Sequence, residues 1–288
     1  WACHRDPEPP PASVDAAPEA PEPAWVAPDA PSPWVSLAPA RLAQIAQAVA
    51  TAPVAAIVLA RVLRIGESLG FGAALEVESL AYSTLLGGGE FARWRAANPP
   101  GAMPCESTGP VRYERDGDAV TLTLASPETR NAMSATMRDA LYAALASVVE
   151  DPSSPALTLR GEGRCFSTGG ELAEFGSASD LAAAHLVRTR RSAALLLHRL
   201  GDRAEVRLHG ACIGSGIEIA AAAARRVATS DTIFQLPELG MGLIPGAGGT
   251  VSVARAIGRQ RTAWLALSGR RIGAARALDW GLIHAIVA

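Results

Sequence analysis

The sequence predicts an α/β domain of mostly parallel strands, with an α-helical segment appended ahead of it. Three observations carry that prediction. From Val111 onward, short strand-like runs alternate with helical periodicity in the order β-α-β-α-β-α, as in a parallel-rich sheet. Before Val111, from about residue 34 to 97, apolar residues recur at three- and four-residue spacing with no strand pattern between them. Finally, two strand ends run straight into glycines, in "GRCFSTGGEL" (163–172) and "LHGACIGSGIEIAAAA" (208–223).

In chain order, residues 1–33 are Pro, Ala and acid, a composition that buries too little apolar surface to offset ordering entropy, so an extended tail is expected. The stretch 34–97 reads as helices, with Pro53 opening the second and Gly87, Gly88 and Gly89 stopping the third. Residues 98–110 form an irregular linker, and 111–288 the core. Within the core, "VRYERDGDAVTLTLA" is a hairpin turning at Asp116-Gly117, and Ser134 caps an amphipathic helix. "ALTLRG" is a buried strand, followed by one long helix over "DLAAAHLVRTRRSAALLLHRLG". "EVRLHG", "RRVAT" and "TIFQLPE" are strands, and three helices close the chain.

The 288 residues are 49% hydrophobic, enough for a large core, while aromatics at 5% leave it to be built from Ala, Val, Leu and Ile. A net charge of −2 provides no general basic field, so nucleic acid is not an expected partner. Cys3, Cys105, Cys165 and Cys212 lack metal-ligand spacing and read as reduced thiols. Apolar runs are broken by Arg or Pro short of a membrane span. No signal-peptide order opens the chain, so the expected location is cytoplasmic. The first residue is Trp1 and not Met, which suggests a portion of a longer sequence.

At both glycine junctions, backbone N–H groups can face a ligand without Cβ obstruction, and the second lies at a helix start that favours an anion. Two such amides converging on a carbonyl oxygen would form an oxyanion hole, each donor worth about 3–4 kcal/mol. Thr168 and Ser215 are the candidate donors. Glu218 falls in the first helical turn, and Glu238 follows Pro237 at a strand end. Two glutamates beside one activated thioester could divide proton transfer and water activation. Taken singly, Glu218 could be an ordinary helix N-terminal acid and Glu238 a turn residue. His209 reads as a packed strand-end histidine, and Arg188 to Arg191 as a solvated helix face open to phosphate. A dinucleotide loop is disfavoured, because Ile219 stands where the third glycine belongs.

Together, "GRCFSTGGELAEF", "HGACIGSGIEIAAAAARRVAT", "FQLPELGMGLIPGAGGTVSVARAIG" and "ALSGRRIGAARALDWGLIHAIV" resemble the enoyl-CoA hydratase/isomerase (crotonase) family over 111–288. The resemblance implies a crotonase-like β-β-α spiral core, a thioester enolate intermediate, and neither metal nor cofactor beyond the coenzyme A of the substrate. It places Thr168 and Ser215 on the oxyanion hole and Glu218 and Glu238 on the two catalytic glutamates, twenty residues apart. Gly246 and Gly169 fall on positions that border water and substrate, and Arg130, Asn131 and Ala132 on the CoA-binding segment. Ser215 replaces the usual glycine, and Glu171 the usual aspartate.

Residues 34–97 resemble the family's C-terminal trimerisation helices placed first, with Arg61 where a CoA-approaching lysine is common. That order implies a circular permutation, or alternatively the end of an upstream copy. The function expected is hydration of a trans-2-enoyl-CoA by a homotrimer or dimer of trimers. Double-bond isomerisation, other acyl-CoA chemistry and a non-catalytic crotonase-fold subunit are the alternatives.

Overall fold

The computed structural model describes residues 35, 37, 39–101 and 109–288. The tail at 1–33, linker residues 102–108, Cys3 and Cys105 lie outside the described residues.

Four helices precede the sheet: α1 (Pro39–Thr51), α2 (Pro53–Gly66), α3 (Phe71–Leu86) and α4 (Gly89–Ala97). Pro53 fits the start of α2 because the first turn has no use for its missing N–H. The next two amides, of Val54 and Ala55, donate at 2.8 and 3.0 Å to the Glu90 carboxylate on α4. An acid at a helix N-terminus satisfies orphan donors and complements the dipole, so Glu90 joins the two helices. α3 buries Phe71, Ala74, Leu75 and Leu85, and also Glu78, Ser79 and Ser83.

The core opens with β1 (Val111–Asp116) and β2 (Ala119–Leu124), an antiparallel hairpin whose Gly117 has φ +54°. Ser134 Oγ accepts from the Met137 amide and caps α5 (Ala135–Glu150). That helix buries Met137, Leu141, Leu145 and Val148, the i, i+4, i+8 and i+11 stripe of an amphipathic helix. After β3 (Ala156–Gly161), the expected long helix is two helices, α6 (Leu181–Arg190) and α7 (Ala193–Leu200). They break because Ser192 turns its hydroxyl to the Leu195 amide and caps α7.

β4 (Ala204–Leu208), β5 (Ala211–Ile213), α8 (Ser215–Ala220), β6 (Arg225–Thr229) and β7 (Ile233–Gln235) follow. α9 (Ser252–Ile257), α10 (Arg259–Ser268), β8 (Ile272–Gly273), α11 (Ala274–Trp280) and β9 (Ala285–Val287) close the chain. The main sheet runs β1-β2-β3-β4-β6-β9, parallel after the first pair. Its register sets Leu122 against Leu159 and Leu159 against Val206, all fully buried. A second sheet, β5-β7-β8, carries the strand that feeds α8.

A single buried cluster joins Leu59, Leu63 and Leu75 of the helical segment to the sheet residues. Each such side chain contributes about 1.5–3 kcal/mol on burial, so the helical segment is part of the core. Among the described residues, no single helix is long and apolar enough to cross a membrane.

Candidate active site

The site forms where β5 meets α8. Gly214 has φ +50°, a conformation that turns the chain into the helix at little cost only for glycine. Gly216 then lies so close to the first glycine segment that an added Cβ would be 2.7 Å from the Ser167 carbonyl. This close approach brings the two glycine segments side by side. Gly169 serves the same packing, since a Cβ there would stand 2.7 Å from the Ile213 carbonyl.

Glu218, 2% exposed, hangs from the first turn of α8. Its Oε2 accepts from the amides of Ala247 at 2.7 Å and Gly249 at 3.0 Å. Burial pushes its pKa up to about 7, against the pull of those loop amides. Glu238 begins the 3₁₀ turn Glu238–Met241 and is buried, and its Oε2 has no hydrogen-bond partner. Burial first, and the Glu218 charge second, hold its pKa well above the usual carboxylate range.

These carboxylates line a cavity of about 1000 Å³, together with Ser215, Gly246 and Gly248. Its opposite wall is α3, through Leu75, Glu78, Ser79 and Tyr82. Tyr82 lies against Gly246 so tightly that a Cβ there would stand 2.4 Å from the ring. Gly246 therefore admits the ring, lines the cavity, and its amide helps lower the pKa of Glu218. Ser215 Oγ is buried without a partner, a second unsatisfied polar atom in the wall.

The structure disperses several expected residues. The Thr168 amide donates to the Arg130 carbonyl at 3.2 Å, and Thr168 does not reach the cavity; in the first segment Gly170 does. Arg130, Asn131 and Ala132 sit behind that wall, and Met133 is the residue of their segment that lines it. Asn131 is fully buried and structural: Oδ1 accepts from the Ser126 amide, while Nδ2 donates to the carbonyls of Glu162 and Cys165. Arg61 is exposed on α2, outside the cavity lining. Arg138, Arg188 and Arg191 supply positive charge there instead. Arg188 donates to Ser79 Oγ at 3.1 Å, binds Ser83 Oγ, and lies 5.0 Å above the Tyr82 ring, so it holds α3 to α6. His209 is a strand-end histidine, its Nε2 3.1 Å from the Gly163 carbonyl.

Glu78 and Tyr82 were missed by the sequence reading, though a signal exists. In "FGAALEVESLAY" they continue the Phe71, Ala74, Leu75 stripe, and a carboxylate on a helix's buried stripe demands a partner.

The parallel-rich spiral and the paired carboxylates at a glycine-lined helix start define a crotonase-type domain. The enoyl-CoA hydratase/isomerase family model matches residues 114–288, and the chain belongs to that family. It is 33% identical over 171 residues to a probable enoyl-CoA hydratase of Bacillus subtilis, covering 58% of this chain and 65% of that relative. It is 29% identical over 180 residues to a trans-2-decenoyl-[acyl-carrier-protein] isomerase of Streptococcus mutans, covering 61% and 68%. Among solved structures, an enoyl-CoA hydratase from Thermoplasma volcanium superposes with a TM-score of 0.57 at 31% identity, covering 62% of this chain and 72% of the other. The chain thus spans just under two thirds of the Bacillus relative.

Proposed function

We propose that the chain is an enoyl-CoA hydratase, adding water syn across a trans-2-enoyl-CoA thioester. The observation that carries this reading is the pair of buried glutamates meeting over Gly214 in different protonation regimes. Glu218, raised to about 7, gives up its proton before Glu238, which burial and the Glu218 charge push well above the usual carboxylate range. Glu218, its Oε2 anchored by two amides, uses Oε1 to take a proton from water as the water oxygen bonds to Cβ of the substrate. The C=C electron pair moves onto the thioester oxygen, and the Glu238 carboxylic acid then delivers its proton to Cα. Proton exchange from Glu218 to Glu238 restores the starting state. The enolate oxygen is held by the Ser215 amide at the cavity wall, while the Thr168 amide remains with the Arg130 carbonyl.

The reading includes acyl-CoA as substrate with no other cofactor, assembly as a homotrimer or dimer of trimers, and a cytoplasmic location. It also includes circular permutation or, alternatively, the end of an upstream copy, the family match beginning at residue 114, after α1–α4. A second "FSTGG"-like segment upstream of Trp1 in the complete gene would defeat the permutation. Isomerisation is the second reading, favoured by the free oxygen of Glu238, which could shuttle one proton between Cα and Cγ.

The test follows loss of enoyl-thioester absorbance with crotonyl-CoA and longer enoyl-CoAs. Hydration is expected, with Glu218→Gln and Glu238→Gln each losing roughly 10²–10⁴-fold. Isomerisation of a 3-enoyl-CoA that survives Glu218→Gln but not Glu238→Gln would favour the second reading. Binding of acyl-CoA without turnover would make the chain a non-catalytic subunit.

A further inference from the structure

Four consecutive amides of the glycine-rich loop are divided between two carboxylates. Those of Ala247 and Gly249 donate to Glu218 Oε2 at 2.7 and 3.0 Å. Those of Gly248 and Thr250 donate to Glu78 Oε1 and Oε2 at 2.7 and 2.8 Å, and Thr250 Oγ1 adds a third bond at 2.6 Å. The loop is thereby held between α8 and α3. Glu78 is 1% exposed, and Gly248 has φ +112°, in the region that favours glycine.

We propose that Glu78 is a positioning residue: it fixes the loop whose Ala247 and Gly249 amides orient and hold the Glu218 carboxylate. This rests on the hydratase reading above for its catalytic consequence, although the coupling between the carboxylates stands on the geometry alone.

The groups facing Glu78 define the electrostatics. From α8 comes Glu218, and from the 3₁₀ turn Glu238; from α6 come Arg188 and His185, the latter 2.9 Å from Ser79 Oγ and paired with exposed Glu76. Tyr82 lies on its own helix. Burial above all, and then the Glu218 charge, push Glu78 up to about 8, against the hydrogen bonds from Thr250 and Gly248. Glu218, at about 7, ionises before Glu78, so what Glu78 gives it is the placement of the loop amides that lower its pKa. Arg188, bonded to Ser79 and Ser83 and set over Tyr82, is the cation whose field reaches Glu78.

The experiment compares the parent with Glu78→Gln and, as a surface control, Glu76→Gln. Folding is checked by thermal melts, and two readouts are taken. The first is the pH profile of kcat and KM on an enoyl-CoA. Glu78→Gln is expected to lower kcat about 10- to 100-fold with KM within threefold, because a misplaced general base loses orientation without losing binding. Its acid limb should move to higher pH, because a loosened loop withdraws the Ala247 and Gly249 amides that lower Glu218, and Glu76→Gln should match the parent. The second readout is a titration of ¹³C-labelled glutamate carboxyls by NMR, which needs no turnover. The Glu218 resonance, assigned with Glu218→Gln, should titrate at higher pH in Glu78→Gln. An unmoved Glu218 titration overturns the coupling, and an unchanged kcat overturns the positioning role. A kcat loss that merely follows a lowered melting temperature, with the pH profile fixed, also overturns the proposal. If the parent turns over no enoyl thioester, the hydratase reading fails while the titration still decides the coupling.

Discussion

Glu218 and Glu238 approach each other over the bare backbone of Gly214. A methyl group placed on that glycine would stand 2.7 Å from Glu238 Oε1 and 3.8 Å from Glu218 Oε1. The space both carboxylates need is therefore the space that a side chain would take. With φ at +50°, the backbone conformation imposes the same requirement.

Gly214→Ala is accordingly expected to fold and to fail chemically. The strained φ costs about 1–2 kcal/mol, and displacement of Glu238 by even 1 Å costs roughly 10²-fold in rate. Thermal melts beside enoyl-thioester assays separate the two effects. A variant with parental activity would show that the glutamates do not need this approach.

Stability should fall as pH rises through neutrality. In the folded chain Glu218 and Glu78 hold their protons up to about 7 and about 8, whereas the reference value for both is 4.5. Between these limits the folded state binds more protons, so their contribution is fully present below the unfolded pKa and is lost as pH passes 7 to 8. Asp139 and Asp151 have lowered pKa values, so their opposite effect lies at more acidic pH. A higher melting temperature at pH 5 than at pH 8.5 is expected, with a smaller gap in Glu78→Gln. Equal gaps in the two proteins would contradict the assignment.

Ser215→Ala removes a buried hydroxyl that has no partner. The backbone amide stays, and the hydroxyl caps nothing in α8. The unfilled hydroxyl costs about 1–3 kcal/mol, so the variant should be the more stable by about 1 kcal/mol, with turnover within threefold. A tenfold loss of turnover would mean that the hydroxyl finds its partner in the bound thioester.

Asn131→Ala breaks three buried hydrogen bonds at once, those with Ser126, Glu162 and Cys165. It leaves one amide and two carbonyls unsatisfied, so about 2–4 kcal/mol should be lost in denaturant titration. If Asn131 acts only as this clamp, residual folded enzyme keeps its KM for the acyl-CoA. A raised KM without lost stability would restore the CoA-binding role expected from the sequence.

The contrast between Glu218 and Glu78 shows what was legible. Glu218 and Glu238 belong to local patterns, a strand running into glycines and a proline-led turn, so short windows of sequence suffice to find them. The hairpin at Gly117 and the cap at Ser134 are local in the same sense. The break between α6 and α7 is also local, but Ser192 sits within continuous helical periodicity, which hides the cap. Glu78 meets its partners 170 and 172 residues later, and no window spans that distance. The same holds for basic residues: Arg61 matched a pattern and is exposed on α2, whereas Arg188 reaches the cavity because α6 packs on α3.

The 170-residue interval between Glu78 and Gly248 also governs how the chain matures. At ~5–20 residues per second, the ribosome releases α3 roughly 10–35 s before the glycine loop that satisfies it. During that interval the helices carry an exposed apolar stripe, a surface open to chaperones and to aggregation. Closing so long a loop is entropically slow. Refolding from denaturant should therefore regain sheet structure first and Tyr82 burial last, with activity returning only in the later phase.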